Sequence, residues 1–316
     1  MTVRYVAFGL QINSPFALPG MLERRDESLP QITLDIHTRA NLEGAWSAAD
    51  AAPIWEGQLG DGQTLLVELA DTGEHLFTYG DRALFRLDAS GERLACAPSE
   101  DGIAWQRVLL SKILANISLI RGYEALHASA VESPQGAIVV IAPSGTGKTA
   151  LALALARRGW PLISDDILTL GLAPEGVRAY PGTPHLNADL PTVSDRSNRK
   201  LALVLGVLGD ELWLAARSPT LTACPVRAVC LLQRGPHLSL ALEPMPASPV
   251  WLMPYMLGLA DSRDRERERF KLYSELAAHS ELIHVTAGVD DSPDAIALRL
   301  GALLAAEPSR AVGSLA

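Results

Sequence analysis

Residues 136–149 read Gly-Ala-Ile-Val-Val-Ile-Ala-Pro-Ser-Gly-Thr-Gly-Lys-Thr. Gly136–Ala142 is a continuous apolar run rich in β-branched residues, which predicts a strand buried on both faces of a parallel or mixed sheet. Pro143–Gly147 is turn material. Thr149–Arg158 (Thr-Ala-Leu-Ala-Leu-Ala-Leu-Ala-Arg-Arg) alternates Ala and Leu, but both are strong helix formers, Leu151 and Leu155 lie one helical turn apart, and Gly159 supplies a stop. Strand, glycine turn and helix surround Ala142-Pro-Ser-Gly-Thr-Gly-Lys-Thr149, which matches the P-loop pattern except that Ala142 stands for its first glycine. Ala142 is tolerable there if its φ stays negative. Gly145 and Gly147 permit positive φ and close approach of the backbone. Amides of Ser144–Thr149 would then cradle phosphates, Lys148 would reach the β- and γ-phosphates, and the Thr149 hydroxyl would ligate Mg²⁺. The ligand expected is a nucleotide.

Next in the chain come the carboxylates. Trp160–Ser164 leads as a strand into Asp165-Asp166, and parallel neighbouring strands would bring that end beside the glycine turn. Adjacent carboxylates there can divide the work, one holding Mg²⁺ and the other accepting the proton of an attacking hydroxyl. Upstream, Leu126–Glu132 reads as a strand with His127 near its start. Ile103–Arg121 carries Leu109, Leu110, Ile113, Leu114, Ile117 and Ile120 at spacings of three and four, one apolar helical stripe closed by Gly122.

Residues 1 to about 100 read as strands and turns, with Leu65–Leu69 and the loosely alternating His75–Asp88 as clear segments. The division expected is a small, mostly β N-terminal domain over 1–102 and an α/β catalytic domain over 103–316. Gly171–Lys200 is rich in Pro, Gly and polar residues and reads as a long irregular loop, a candidate lid. Leu201–Leu208, Glu211–Ala215 and Val226–Gln233 read as strands. Asp264–Ala278 and Ser292–Ala306 read as helices, the second opened by a Ser-Pro signal.

Composition excludes several classes. Of 316 residues, 48% are hydrophobic and 20% charged, the usage of a folded globular chain. Lys and Arg number 27 against 36 Asp and Glu, a net charge of -9, so no nucleic-acid partner is expected. Cys96, Cys224 and Cys230 suit neither a disulfide framework nor a zinc site and read as reduced, buried side chains. There is no signal peptide and no apolar run of membrane-spanning length, so a cytoplasmic protein off the membrane is expected. LSGGQ-like and NKxD motifs are absent, which sets aside transporter ATPases and GTPases.

Leu126-His-Ala-Ser-Ala-Val-Glu132, the glycine turn, Arg158-Gly159 and Ser164-Asp165-Asp166 together resemble the catalytic core of HPr kinase/phosphorylase. They are more similar to the HPr-kinase-related branch of peptide-tailoring clusters, including the kinases of lasso-peptide biosynthesis. The resemblance spans roughly residues 122–170, and Tyr5–Met21 is more weakly similar to the start of such kinases. It implies a P-loop kinase domain of the HPr kinase type and a serine kinase using ATP and Mg²⁺. Its acceptor would be a peptide or small protein, such as a ribosomally made precursor peptide. By that resemblance Lys148 and Thr149 bind phosphate and metal, Asp166 is the base, Asp165 supports the metal, and His127 lies near the acceptor or the Asp pair. Asp165 and Asp166 could exchange roles. Beyond Asp166 the family's Leu-Glu-Ile-Arg-Gly signature has no counterpart, which removes a Glu and an Arg tied to metal handling and dephosphorylation. Arg199 and Lys200 are candidates to restore the missing positive charge. An HPr-type protein kinase, a small-molecule kinase and a nucleotide-gated peptide-binding protein stay open, as does a homo-oligomer.

Overall fold

A computed structural model describes residues 2–46, 50–59, 62–99, 102–189, 200–208, 211–259 and 263–305. The chain is mixed α/β, with three β-sheets among the described residues.

The first sheet is built from β1 (Val3–Ala7), β2 (Leu10–Ser14), β3 (Gln31–Ile36), β4 (Ala51–Gln58), β5 (Thr64–Ala70), β6 (His75–Tyr79), β7 (Ala83–Leu87) and β8 (Arg93–Pro98), with α1 (Arg39–Trp46) after β3. Its order is β1-β2-β3-β8-β7-β6-β5-β4. The run β4 to β8 is an antiparallel meander, while β3 lies parallel to both β2 and β8. Alternation along these strands sends Ile32 and Leu34, Leu65 and Val67, and Phe85 and Leu87 inward, where none is more than 1% exposed.

A helix crosses this core. α2 (Ala104–Val108) passes through a π turn (Leu109–Ile113) into α3 (Leu114–Ile120) without a break. The apolar stripe expected from the sequence is there: Leu109, Leu110, Ile113, Leu114 and Ile117 are fully buried against Phe77, Phe85 and Trp105. Gly122 ends the helix at φ +98°. The Ser118 hydroxyl donates to Phe8 O at 2.7 Å and the Tyr123 hydroxyl to Gly9 O at 3.1 Å, tying the helix end to the β1–β2 turn.

The second sheet holds β9 (Glu124–Ser133), β10 (Gly136–Ile141), β11 (Leu162–Ser164), β12 (Ile167–Ala173), β13 (Gly176–Tyr180), β17 (Cys224–Arg234), β18 (Ala241–Pro244), β19 (Met256–Leu257) and β20 (Glu281–Ala287). The strand read at 136–142 is β10. Every residue of it is buried, and its neighbours are antiparallel β9 and parallel β17, a mixed environment as expected. One face is covered by α4 (Lys148–Arg157) and α6 (Pro293–Ala305), the other by α5 (Arg263–His279). A small third sheet, β14 (His185–Asp189), β16 (Glu211–Ala216) and β15 (Ala202–Leu208) in that order, leans on α4 through Leu186, Leu212 and Leu214. Cys96, Cys224 and Cys230 are free and buried.

Two expectations are corrected here. Over its described part the segment 171–200 is not a long irregular loop, because β12, β13 and β14 occupy most of residues 171–189. Pro174 and Gly176 lie at the turn between β12 and β13, and Pro181–Pro184 is the connector between β13 and β14. Residues 190–199, Arg199 among them, lie outside the described residues. Second, the strand before Asp165-Asp166 is not a neighbour of β10. β9 runs between them, pairing antiparallel with β10 through Ala128–Ser133 and with β11 through Ala130 and Val131.

Candidate active site

That intervening strand organises the site. Being antiparallel to both flanking strands, β9 enters the sheet at the edge where β10 and β11 leave it. His127 pairs with Ile167 on one side, and Ala128 pairs with Ile141 on the other. The glycine turn after β10, the Asp pair after β11 and His127 on β9 therefore meet at one edge of the sheet. They face a cleft of about 580 Å³.

The turn has the shape its glycines permit. Gly145 has φ +77° and Gly147 has φ +103°, and a Cβ at either would meet open space. Backbone conformation, not crowding, selects glycine at both positions. Ala142 stays out of the left-handed region; among the described residues the non-glycine positive φ values belong to Phe8 and Asp166. Ser144, Gly145, Gly147, Lys148 and Thr149 line the cleft, and the first turn of α4 aims its backbone N–H groups there. Thr146 stands outside that lining, and its N–H donates to Pro143 O at 3.3 Å.

Lys148 is 8% exposed. Its Nζ donates to Ala142 O at 3.0 Å and lies 3.1 Å from His127 Nε2. Burial pulls the ammonium below the usual lysine range, while the charges of Asp166 and Asp165 work to raise it.

The two carboxylates occupy different surroundings. Asp165 faces α4: Thr149 Oγ1 donates to its carboxylate at 2.9 and 3.0 Å, and Ser129 Oγ donates to Oδ1. Burial is the largest influence and, helped by the neighbouring Asp166 charge, pushes the Asp165 carboxyl up to about 6 against the hydrogen bonds from Ser129 and Thr149. Asp166 faces the other way. Its Oδ1 is 3.1 Å from His127 Nδ1 and its Oδ2 accepts from Lys112 Nζ at 2.5 Å. Burial would raise this carboxyl too, but the His127 hydrogen bond and the Lys112 ammonium outweigh it and hold Asp166 well below the usual carboxylate range. Asp166 sits at φ +69°, a strained conformation for a non-glycine residue and the kind that concentrates at functional sites. The twist points the adjacent side chains to opposite sides.

His127, Ser144, Gly145, Gly147, Lys148, Thr149, Asp165 and Asp166 are thus gathered around this cleft, and Thr146 is not. Lys200 is not: it borders a separate apolar hollow beside Trp160 and Leu201. Lys112, Ser129, Arg107, Asn187 and Glu211 were not anticipated. Ser129 carried a usable signal, because strand alternation places it on the His127 face of β9. Arg107 lines the cleft with Nη2 donating to Asn187 at 2.8 Å and to Glu211 at 2.7 Å.

The class defined by this geometry is a mixed α/β protein with a glycine turn and two divergent carboxylates in one cleft. No family model matches the chain, and no curated protein matches it in sequence. Among solved structures it is similar to the HPr(Ser) kinase/phosphatase from Coxiella burnetii, at 13% identity and a TM-score of 0.30, covering 57% of this chain and 96% of that one. No described helix is long and apolar enough to cross a membrane.

Proposed function

We propose that the chain is an ATP- and Mg²⁺-dependent serine kinase, moving the γ-phosphoryl group to a hydroxyl of a peptide or small protein. The supporting observation is the convergence, at one edge of one sheet, of the glycine turn, Lys148, the Thr149–Asp165 pair and Asp166. On this reading 142–149 is a P-loop, with amides of Ser144–Thr149 and the Lys148 ammonium on the phosphates.

The donor set suits Mg²⁺. Thr149 and Asp165 offer hard oxygens already within 3.0 Å of each other. Among the described residues no cluster of three or more His, Cys, Asp or Glu could hold a metal alone. Mg²⁺ typically takes one or two protein oxygens and completes its shell with phosphate and water. When bound it would neutralise charge on the phosphates. Ser129 fixes the Asp165 carboxylate toward Thr149, and Asp166 takes the proton of the acceptor hydroxyl. His127, between Asp166 and Lys148, orients the base and sets its distance from the phosphates. Phosphoryl transfer depends mainly on such positioning and electrostatics.

By the sequence resemblance, the acceptor is a ribosomally made precursor peptide of the lasso type, met in the cytoplasm. The test is transfer from γ-labelled ATP with Mg²⁺ to short peptides encoded beside the gene and to a host lysate, with wild type and Asp166→Asn side by side. Label on a small peptide with wild type alone supports the reading. Measurable ATP binding with no label on any acceptor refutes it.

A further inference from the structure

The helix that crosses the first core brings a second lysine to the cleft, and it does so through an irregularity. Leu109–Ile113 form a π turn, in which hydrogen bonds run i to i+5. In a regular α-helix residues 107 and 112 would diverge by about 140°. The wider π turn brings them round to the same side. Arg107, Val108, Ser111 and Lys112 all line the cleft, while Leu109, Leu110 and Ile113 keep their places in the core. Such single π turns inside α-helices cluster at functional sites.

The two cations are held differently. Arg107 is engaged by Asn187 and Glu211, which bridge it to β14 and β16. Lys112 instead donates to Asp166 Oδ2, and the two side chains stay partly exposed, at 29% and 30%. Its flexible stem lets the ammonium change partner without moving the helix.

We propose that Lys112 is a ligand of the γ-phosphate, leaving Asp166 Oδ2 for the phosphoryl oxygens when a nucleoside triphosphate fills the cleft. The inference rests on the kinase reading for its chemistry, but its binding part stands apart from it. In the transfer step the acceptor oxygen bonds to Pγ and the bond from Pγ to the bridging oxygen breaks, its electron pair staying on ADP. The acceptor proton passes to Asp166, whose Oδ2 the lysine has vacated. Lys112 thus places positive charge on the equatorial oxygens from the side opposite Lys148 and releases the base only when there is a phosphoryl group to transfer.

The experiment compares binding of ADP and of β,γ-imido-ATP, both with Mg²⁺, to wild type, Lys112→Met and Lys112→Arg. Loss of a charge-assisted hydrogen bond should weaken the triphosphate on the order of ten- to a hundredfold. ADP affinity should change by less than about twofold, since an exposed charge at a distance is worth little. Lys112→Arg should restore part of the triphosphate preference. Equal losses for both nucleotides, no loss for either, or no nucleotide binding by wild type each overturn the proposal. A Lys112-dependent triphosphate preference without label transfer to any acceptor upholds it and sinks the kinase reading. Transfer by Lys112→Met at the wild-type rate does the reverse.

Discussion

Asp165→Asn should make the nucleotide-free protein more stable at pH 8, although it removes a buried, hydrogen-bonded side chain. The reason is the direction of the Asp165 shift. Burial raises the carboxyl from the ordinary 3.8 to about 6. Between those pH values the folded chain holds a proton that the unfolded chain has released, so stability present below pH 3.8 is lost as pH rises through 6. At 1.36 kcal/mol per pH unit the ceiling is about 3 kcal/mol. Water in the open cleft screens the charge and brings the expected value to about 1–2 kcal/mol. Asparagine has nearly the same shape, still accepts from Thr149 and Ser129, and never ionises. Thermal melting in EDTA should show the variant close to wild type at pH 4 and a few degrees above it at pH 8. On the proposed kinase reading the order should invert with Mg²⁺ and ATP, because Asp165 would then be a metal ligand that the variant lacks and wild type would gain the linked binding energy. A variant less stable than wild type by the same margin at both pH values would refute the reasoning.

Asp166→Asn should behave oppositely. Burial disfavours the Asp166 charge, but His127 and Lys112 hold the carboxyl below its usual range, so its stabilisation is present above the unfolded value near 3.8 and lost as pH falls below it. At pH 7 the variant should lose about 1 kcal/mol in urea unfolding and about 10²–10⁴-fold in transfer rate, with ATP affinity little changed. Lys148→Ala should weaken both nucleotide binding and transfer; wild-type transfer by that variant would remove the phosphate assignment. Away from the cleft, Glu124 is 2% exposed and pairs with Arg265 at 2.9 Å and Arg269 at 3.0 Å, joining β9 to α5. Glu124→Ala leaves two guanidinium groups facing a vacated buried site and should cost about 3–5 kcal/mol, read as a lower urea midpoint at unchanged slope.

Local signals in the sequence located most of the elements that carry the site. β10 was legible because its buried, β-branched run stands between a turn and a glycine-rich segment. α4 was legible because alternating Ala and Leu satisfy helix propensity despite looking like a strand. The apolar stripe of 103–121 told which side of that helix meets a core, and Leu109, Leu110, Ile113, Leu114 and Ile117 are buried as the spacing required. What misled was composition read without pairing. Pro and Gly in 171–200 suggested a loop, yet Leu170–Ala173 and Gly176–Ala179 pair across a tight turn, and His185–Asp189 pair with β16 some 25 residues on. Long-range pairing overrides local preference in strands more readily than in helices. β20 escaped notice for the same reason: its seven residues follow α5 directly, and pairing with parallel β17 and antiparallel β18 makes them a strand.

The cleft was half legible, and the division has a physical cause. Lys148, Thr149, Asp165 and Asp166 lie within 19 residues of one another, where strand–turn–helix geometry dictates proximity. Lys112 lies 54 residues before Asp166, on a helix outside that strand–turn–helix segment. It sits in a π turn, and a π turn has no dependable signature in a window of apolar residues. The left-handed backbone at Asp166 is equally invisible, since aspartate adopts it only where surrounding contacts impose it. These two irregularities meet in one ion pair, Lys112 with Asp166. The π turn carries Lys112 and the left-handed backbone carries Asp166. The difference between Asp165, raised toward neutrality, and Asp166, held fully ionised, follows from that divergence: one carboxylate faces two hydroxyls, the other an ammonium and an imidazole. Two adjacent residues of identical chemistry are thereby made to titrate in different ranges, Asp165 above and Asp166 below the ordinary carboxylate value.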